Sequence, residues 1–253
     1  MFIDIHTHLS QYTDVEIPLI VKRWRESGVE LVVSSGTTIE DSIKSIELAN
    51  KYPDIVAGIG LHPSDLTDNW KNDLLELKNM LDENISMISE IGLDYQDFSP
   101  NKKVQIRVFE EQIQIAIDND LPIVFHTRFS MEDSYNVLEN FKDHMHGGAV
   151  HYFDGNYEEA KKMINLGFKI SFAKTLLRNN YLKEVAKKLS IDDIVIETDS
   201  YPQYFKKNRE RWTEPKDVVL VANELASIKN LTVELVGERT KENFKSFIKT
   251  YPK

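Results

Sequence analysis

The chain has 253 residues, a formal net charge of −10, 41% hydrophobic and 28% charged residues, and no cysteine. That length suits one barrel of alternating strands and helices, and the composition is that of an ordinary globular chain rather than a disordered or fibrous one. Without cysteine there are no disulfides or thiolate ligands, and the acidic balance argues against a generally basic nucleic-acid-binding surface while leaving nucleic acid open as a substrate.

No apolar run approaches the roughly 20 residues that span a bilayer. The N-terminus lacks a basic segment followed by an apolar stretch, so no secretory signal is visible. The expectation is a cytoplasmic protein with no membrane contact and no obligate protein partner. In chain order, β-rich runs fall at 2–6, 31–35, 55–61, 87–91, 123–126, 148–152, 168–172 and 194–198. Several are nearly continuous in Ile, Val and Phe, as expected of parallel strands buried on both faces. The segments between them carry helical periodicity, most clearly 104–119, with Pro122 opening the next strand, and 157–166, followed by Gly167. Residues 200–213 form an irregular loop after the eighth strand. A helix is predicted from Glu214-Pro215, with Thr213 as N-cap and Pro215 in the first turn. Another is predicted from Val233 or Thr240 to the C-terminus. Eight such units fit a (β/α)8 barrel, and no linker argues for more than one domain over residues 1–253.

The chemistry gathers at the strand ends. Side chains alternate faces along a strand, so His6 and His8 point the same way and can chelate one divalent cation. Glu90, His126, His151 and Asp199 each stand at or just past the end of another apolar run. In such barrels the carboxyl ends of the strands form the active face. Four imidazoles and two carboxylates can serve two borderline divalent cations, and a shared carboxylate would suit a pair about 3.5–4 Å apart. His62 could contact a substrate phosphate or protonate a leaving group, or be a structural loop histidine. Arg128 could pair with phosphate through its guanidinium, or form a salt bridge at the barrel rim. Asp94 and Tyr95 could line the pocket or support it. Asp4 could orient a ligand or be a buried, satisfied carboxylate. In the last loop, Lys206, Lys207, Arg209 and Arg211 could track a nucleic-acid backbone while Tyr201, Tyr204, Phe205 and Trp212 stack on bases, or the loop could be a solvated charged segment with its aromatics packed on the barrel.

The segments FIDIHTHL, GIGLHP, SEIGLDY, IVFHTR, VHYFDG and IETDS, in this order and spacing, resemble the TatD family of metal-dependent hydrolases. The resemblance extends from Phe2 to Ser200, and the tail around Thr240, Asn243 and Phe244 is similar too. It implies an α/β fold, a (β/α)8 TIM barrel of the amidohydrolase-like type. It also implies two divalent cations per chain (Zn, Mn, Mg, Co or Ni). His6, His8, Glu90 and Asp199 would hold one and Glu90, His126 and His151 the other, with Glu90 shared. Glu90 and Asp199 would be the catalytic carboxylates, Asp199 as the base acting on the attacking water. The implied activity is cleavage of DNA phosphodiester bonds by a metal-activated water. Hydrolysis of a small amide, lactone or ester is the alternative, and a non-catalytic metal-bound scaffold is a third reading. The family's Asp-Ser-Pro is replaced here by Asp199-Ser200-Tyr201-Pro202, and its Arg-Asn-Glu-Pro by Arg211-Trp212-Thr213-Glu214-Pro215. These departures put the shape of the substrate pocket in question.

Overall fold

The computed structural model describes residues 1–82 and 85–251. Strands and helices alternate: β1 (Phe2–Thr7), α1 (Ile17–Glu26), β2 (Val29–Ser35), α2 (Ile39–Lys51), β3 (Ile55–Ile59), α3 (Trp70–Asn79), β4 (Met87–Asp94) and α4 (Lys102–Asp118). There follow β5 (Ile123–Arg128), α5 (Met131–Glu139), β6 (Gly148–Val150), α6 (Tyr157–Asn165), β7 (Phe168–Phe172), α7 (Asn180–Lys188), β8 (Ile194–Ile196), α8 (Val218–Lys229) and α9 (Val233–Lys245). The strands form one parallel sheet in the order β1 to β8. Its two edges meet where Asp199 N–H donates to the His6 carbonyl at 3.0 Å and His8 N–H to the Ser200 carbonyl at 2.8 Å. The fold is the expected TIM barrel. The bonds that draw its edges together also set His6 and His8 beside Asp199.

Two apolar layers support it. Ile20, Trp24, Phe109, Leu138, Met163 and Leu225 come from the helices and pack on outward residues such as Ile59, Phe125 and Ile194. Complete burial of one such side chain contributes about 1.5–3 kcal/mol. A second cluster brings Ile5, Val33, Val56, Met87, Val124, Ala149 and Val195 together across the sheet, joined by Phe244 and Ile248 from the C-terminal segment. Asn243 Nδ2 ties that segment to the start of β8 through the carbonyls of Ile191 and Ile194, both at 2.7 Å. The inner cluster explains the site above it. Counting two along a strand from Val33, Val124, Ala149 and Val195 gives Ser35, His126, His151 and Glu197, so each polar residue follows an inward apolar one on the same face. In β1 a register shift between Asp4 and Thr7 breaks that count.

Several boundaries differ from the sequence reading. β4 runs to Asp94 and β5 to Arg128, because they stay paired through Asp94 and Arg128. β6 and β8 stop at Val150 and Ile196, short of the expected 152 and 198. Just beyond them Tyr152 and Asp199 adopt positive φ, 46° and 53°, which a sheet ladder cannot continue. The turn before α8 is a 3-10 turn over Pro215–Asp217 with Glu214, not Thr213, as its N-cap. The Asp217 carboxylate accepts from Glu214 N–H at 3.2 Å. The last helix starts at Val233 but ends at Lys245 rather than continuing to the C-terminus; residues 252–253, the end of that expected helix, lie outside the described residues.

Candidate metal centre

Glu90 is the hub of the cavity at the carboxyl ends of the strands. Its side chain is 3% exposed, and five imidazole nitrogens surround it. Oε2 lies 3.2 Å from His6 Nε2 and 3.4 Å from His8 Nε2. Oε1 lies 3.0 Å from His126 Nδ1, 3.4 Å from His62 Nε2 and 3.5 Å from His151 Nε2. Asp199 stands at the edge, 22% exposed, with Oδ1 3.2 Å from His8 Nε2 and 3.9 Å from His151 Nε2. All six residues expected as ligands therefore converge. Their atoms fall into groups within 4.8 Å: His6, His8 and Glu90; His6, His151 and Asp199; and Glu90, His126 and His151. A further group joins His62, Asp94 and His126.

The outer nitrogens show what the inner ones can do. His126 Nε2 meets Asp94 Oδ2 at 3.0 Å. His151 Nδ1 makes an ion-pair contact with Glu197 Oε1 at 2.9 Å, without hydrogen-bond alignment. A carboxylate accepts only, so each of these outer nitrogens carries the hydrogen and leaves a lone pair on the nitrogen facing Glu90. His62 is the reverse. Its Nδ1 accepts from Ser64 N–H at 3.2 Å, so in the neutral ring Nε2 carries the hydrogen and donates toward Glu90. His6 Nδ1 pairs with the Ser35 hydroxyl at 3.1 Å, and His8 Nδ1 has no hydrogen-bond partner among the described residues.

Nitrogen lone pairs aimed at carboxylate oxygens repel unless positive charge lies between them, and this donor set fits divalent cations. Protons can serve the same need. Burial opposes charge on His151, yet Glu197, Glu90 and Asp199 push it up to about 10. Burial likewise opposes charge on His8 and His126, but Asp199 and Glu90 raise the first and Asp94 and Glu90 the second. For His6 burial prevails and lowers it. Against the cost of burial, His62, His151 and His6 hold Glu90 well below the usual carboxylate range, and His8 and His151 hold Asp199 below it.

The remaining candidates separate. His62 and Arg128 both line the cavity, which has a volume of about 360 Å³. Arg128 is 45% exposed and 3.7 Å from Asp94 Oδ2, so it makes the rim ion pair and also faces the opening. Asp94 supports His126, whereas the Tyr95 hydroxyl bonds Asp133 at 2.8 Å and is not part of the cavity lining. Asp4 is satisfied: it accepts from Thr198 N–H at 2.9 Å and from the Thr198 hydroxyl, while burial raises its pKa. It secures β8 immediately before Asp199. Gly92 meets the His126 backbone so closely that an added Cβ would clash with its carbonyl oxygen.

The loop at 200–213 divides. Trp212 is buried and Arg209 lies 4.2 Å over its ring, with Arg209 Nη1 2.7 Å from Glu214 Oε1. Those two residues anchor the loop on the barrel, as in the second of the two readings of this segment, and do not extend toward a ligand. Tyr204 and Phe205 remain exposed. Sequence reasoning missed Glu197 and Ser35 as supports. The signal was present: Glu197 stands two residues before Asp199 and Ser35 two beyond Val33.

A parallel eight-stranded barrel with imidazoles and carboxylates gathered at one mouth defines the class. Comparisons narrow it. The family described as TatD related DNase matches residues 3–249, and the chain belongs to that family. An uncharacterized metal-dependent hydrolase of Bacillus subtilis, YabD, is 34% identical, covering 97% of this chain and 98% of its own. A putative deoxyribonuclease TATDN1 homolog of Enterocytozoon bieneusi is 28% identical, covering 98% and 95%. Among solved structures, the TatD homolog YjjV of Escherichia coli superposes with a TM-score of 0.88 at 23% identity, covering 99% of this chain and 98% of that one; that likeness bears on the fold.

Proposed function

We propose that this chain is a divalent-metal-dependent hydrolase that cleaves phosphodiester bonds of DNA. The observation carrying this reading is the convergence of four imidazoles on buried Glu90, with Asp199 beside His8 and His151 and two of the outer nitrogens set against carboxylates. His6, His8, Glu90 and Asp199 would hold one cation and Glu90, His126 and His151 a second. Bound cations would supply positive charge to the phosphoryl oxygens and ease deprotonation of a water. Asp199 is ionised, partly exposed and beside His8, which suits a base that takes the proton of the attacking water as its oxygen bonds to phosphorus. The Nε2–H of His62, which faces Glu90 across the cavity, would stabilise charge on the leaving oxygen. Arg128 is exposed enough to turn from Asp94 and grip a non-bridging oxygen in bidentate fashion.

The relatives' descriptions, metal-dependent hydrolase and putative deoxyribonuclease, agree with this reading. A metal analysis of the purified protein, followed by assays with that metal restored, tests it. Nucleotide release from DNA is expected. Turnover of esters, lactones or amides without nucleotide release would move the assignment to a small carbonyl substrate. Full metal occupancy with no turnover of either would leave a scaffold.

A further inference from the structure

The turn between β4 and α4 is firmly held yet displays an apolar ring to water. Asp94 Oδ1 accepts from Gln96 N–H at 3.0 Å and from the Ser99 hydroxyl at 3.2 Å. Gln105 Nε2 donates to the carbonyls of Asp94 and Pro100, both at 2.7 Å. At the tip of this framework Phe98 is 79% exposed, and it lines the same cavity as Glu90, Arg128 and Asp199. Its position is tied to the centre, because Asp94 also supports His126.

Exposed large side chains sort by place. On outer helical faces they are chiefly aliphatic, as at Leu19, Leu75 and Leu220. On the loops after β4, β5 and β8 they include Phe98, Phe129, Tyr204 and Phe205, all aromatic. Of these four, Phe98 is the one that borders the cavity. The charged walls suit a phosphate, but a phenyl ring adds nothing to phosphate binding. It does offer a flat face on which any nucleobase can stack.

We propose that Phe98 is a stacking platform for an unpaired nucleobase next to the phosphodiester held at this centre, and that it sets a preference for base-bearing strands over bare sugar-phosphate. This rests on the phosphodiesterase reading above. Because the turn is held by Asp94 and Gln105, its backbone is ordered before binding, which lowers the ordering cost of stacking.

The test compares kcat/KM for a short thymidine oligonucleotide with that for the same strand carrying tetrahydrofuran abasic residues, in the metal-loaded enzyme. Wild type should favour the base-bearing strand by roughly 5- to 150-fold, the range expected for stacking of one base. Phe98→Ala should bring the ratio near one, Phe98→Trp should keep it, and Phe98→Leu should not. Leu75→Ala, on the outer face of α3, serves as a control whose ratio should equal wild type. Cleavage of both strands at equal rates by wild type, or an unaltered ratio in Phe98→Ala, would overturn the proposal and leave the phosphodiesterase reading standing. Cleavage of neither strand would overturn both.

Discussion

On the β5–β6 side of the centre, His126 and His151 each set an outer nitrogen against a carboxylate, Asp94 or Glu197. On the β1 side, His6 Nδ1 meets the Ser35 hydroxyl, and His8 Nδ1 meets no hydrogen-bond partner among the described residues. A carboxylate behind an imidazole fixes its tautomer and raises its basicity as a ligand; a hydroxyl can donate or accept and does neither as strongly. The β5–β6 side is therefore the better organised half. The β1 side carries the more exposed Asp199. On the proposed reading, the β5–β6 half would hold its cation more tightly, while the β1 half keeps a carboxylate within reach of solvent.

Changes at the shared residue and at the base should have the largest effects. Glu90→Gln should lower occupancy on both sides, since its oxygens face both histidine pairs, whereas His151→Ala should empty chiefly the β5–β6 side. Anomalous scattering from crystals of both variants would show this; two full sites in Glu90→Gln would contradict the bridging role. Asp199→Asn should cost on the order of 10²–10⁴-fold in turnover, the range for removal of a general base, while the thermal transition stays cooperative. Turnover near wild type at saturating metal would reject Asp199 as the base.

Smaller effects sharpen the contrast between the halves. Glu197→Gln and Asp94→Asn should each weaken the tighter cation by roughly 10–100-fold, as loss of a partner behind a ligand typically does, measured by competition with a chelating dye. Ser35→Ala should weaken binding less than either. Equal losses from all three would erase the proposed asymmetry.

Much of this was legible in the sequence because it follows from strand periodicity. His126 and His151 lie two residues beyond inward apolar positions, and His6-Thr7-His8 announces itself. What was not legible depends on contacts distant in sequence. Glu197 comes against His151 only once β6, β7 and β8 lie side by side. Arg209 and Trp212 read as a basic, aromatic arm, but Glu16 and Glu214 capture the guanidinium and Tyr12 lies beside the indole. Positive φ at Tyr152 and Asp199, beyond the ends of β6 and β8, was not legible either. Neither residue type signals that conformation strongly, although Asp tolerates it better than Tyr.

The most direct test of the two-sided centre is calorimetric titration of metal-stripped protein with a single divalent cation, alongside elemental analysis of the loaded form. The account predicts two equivalents per chain in two resolved steps, with the tighter step weakened in Glu197→Gln. Saturation at one equivalent under excess metal would contradict it.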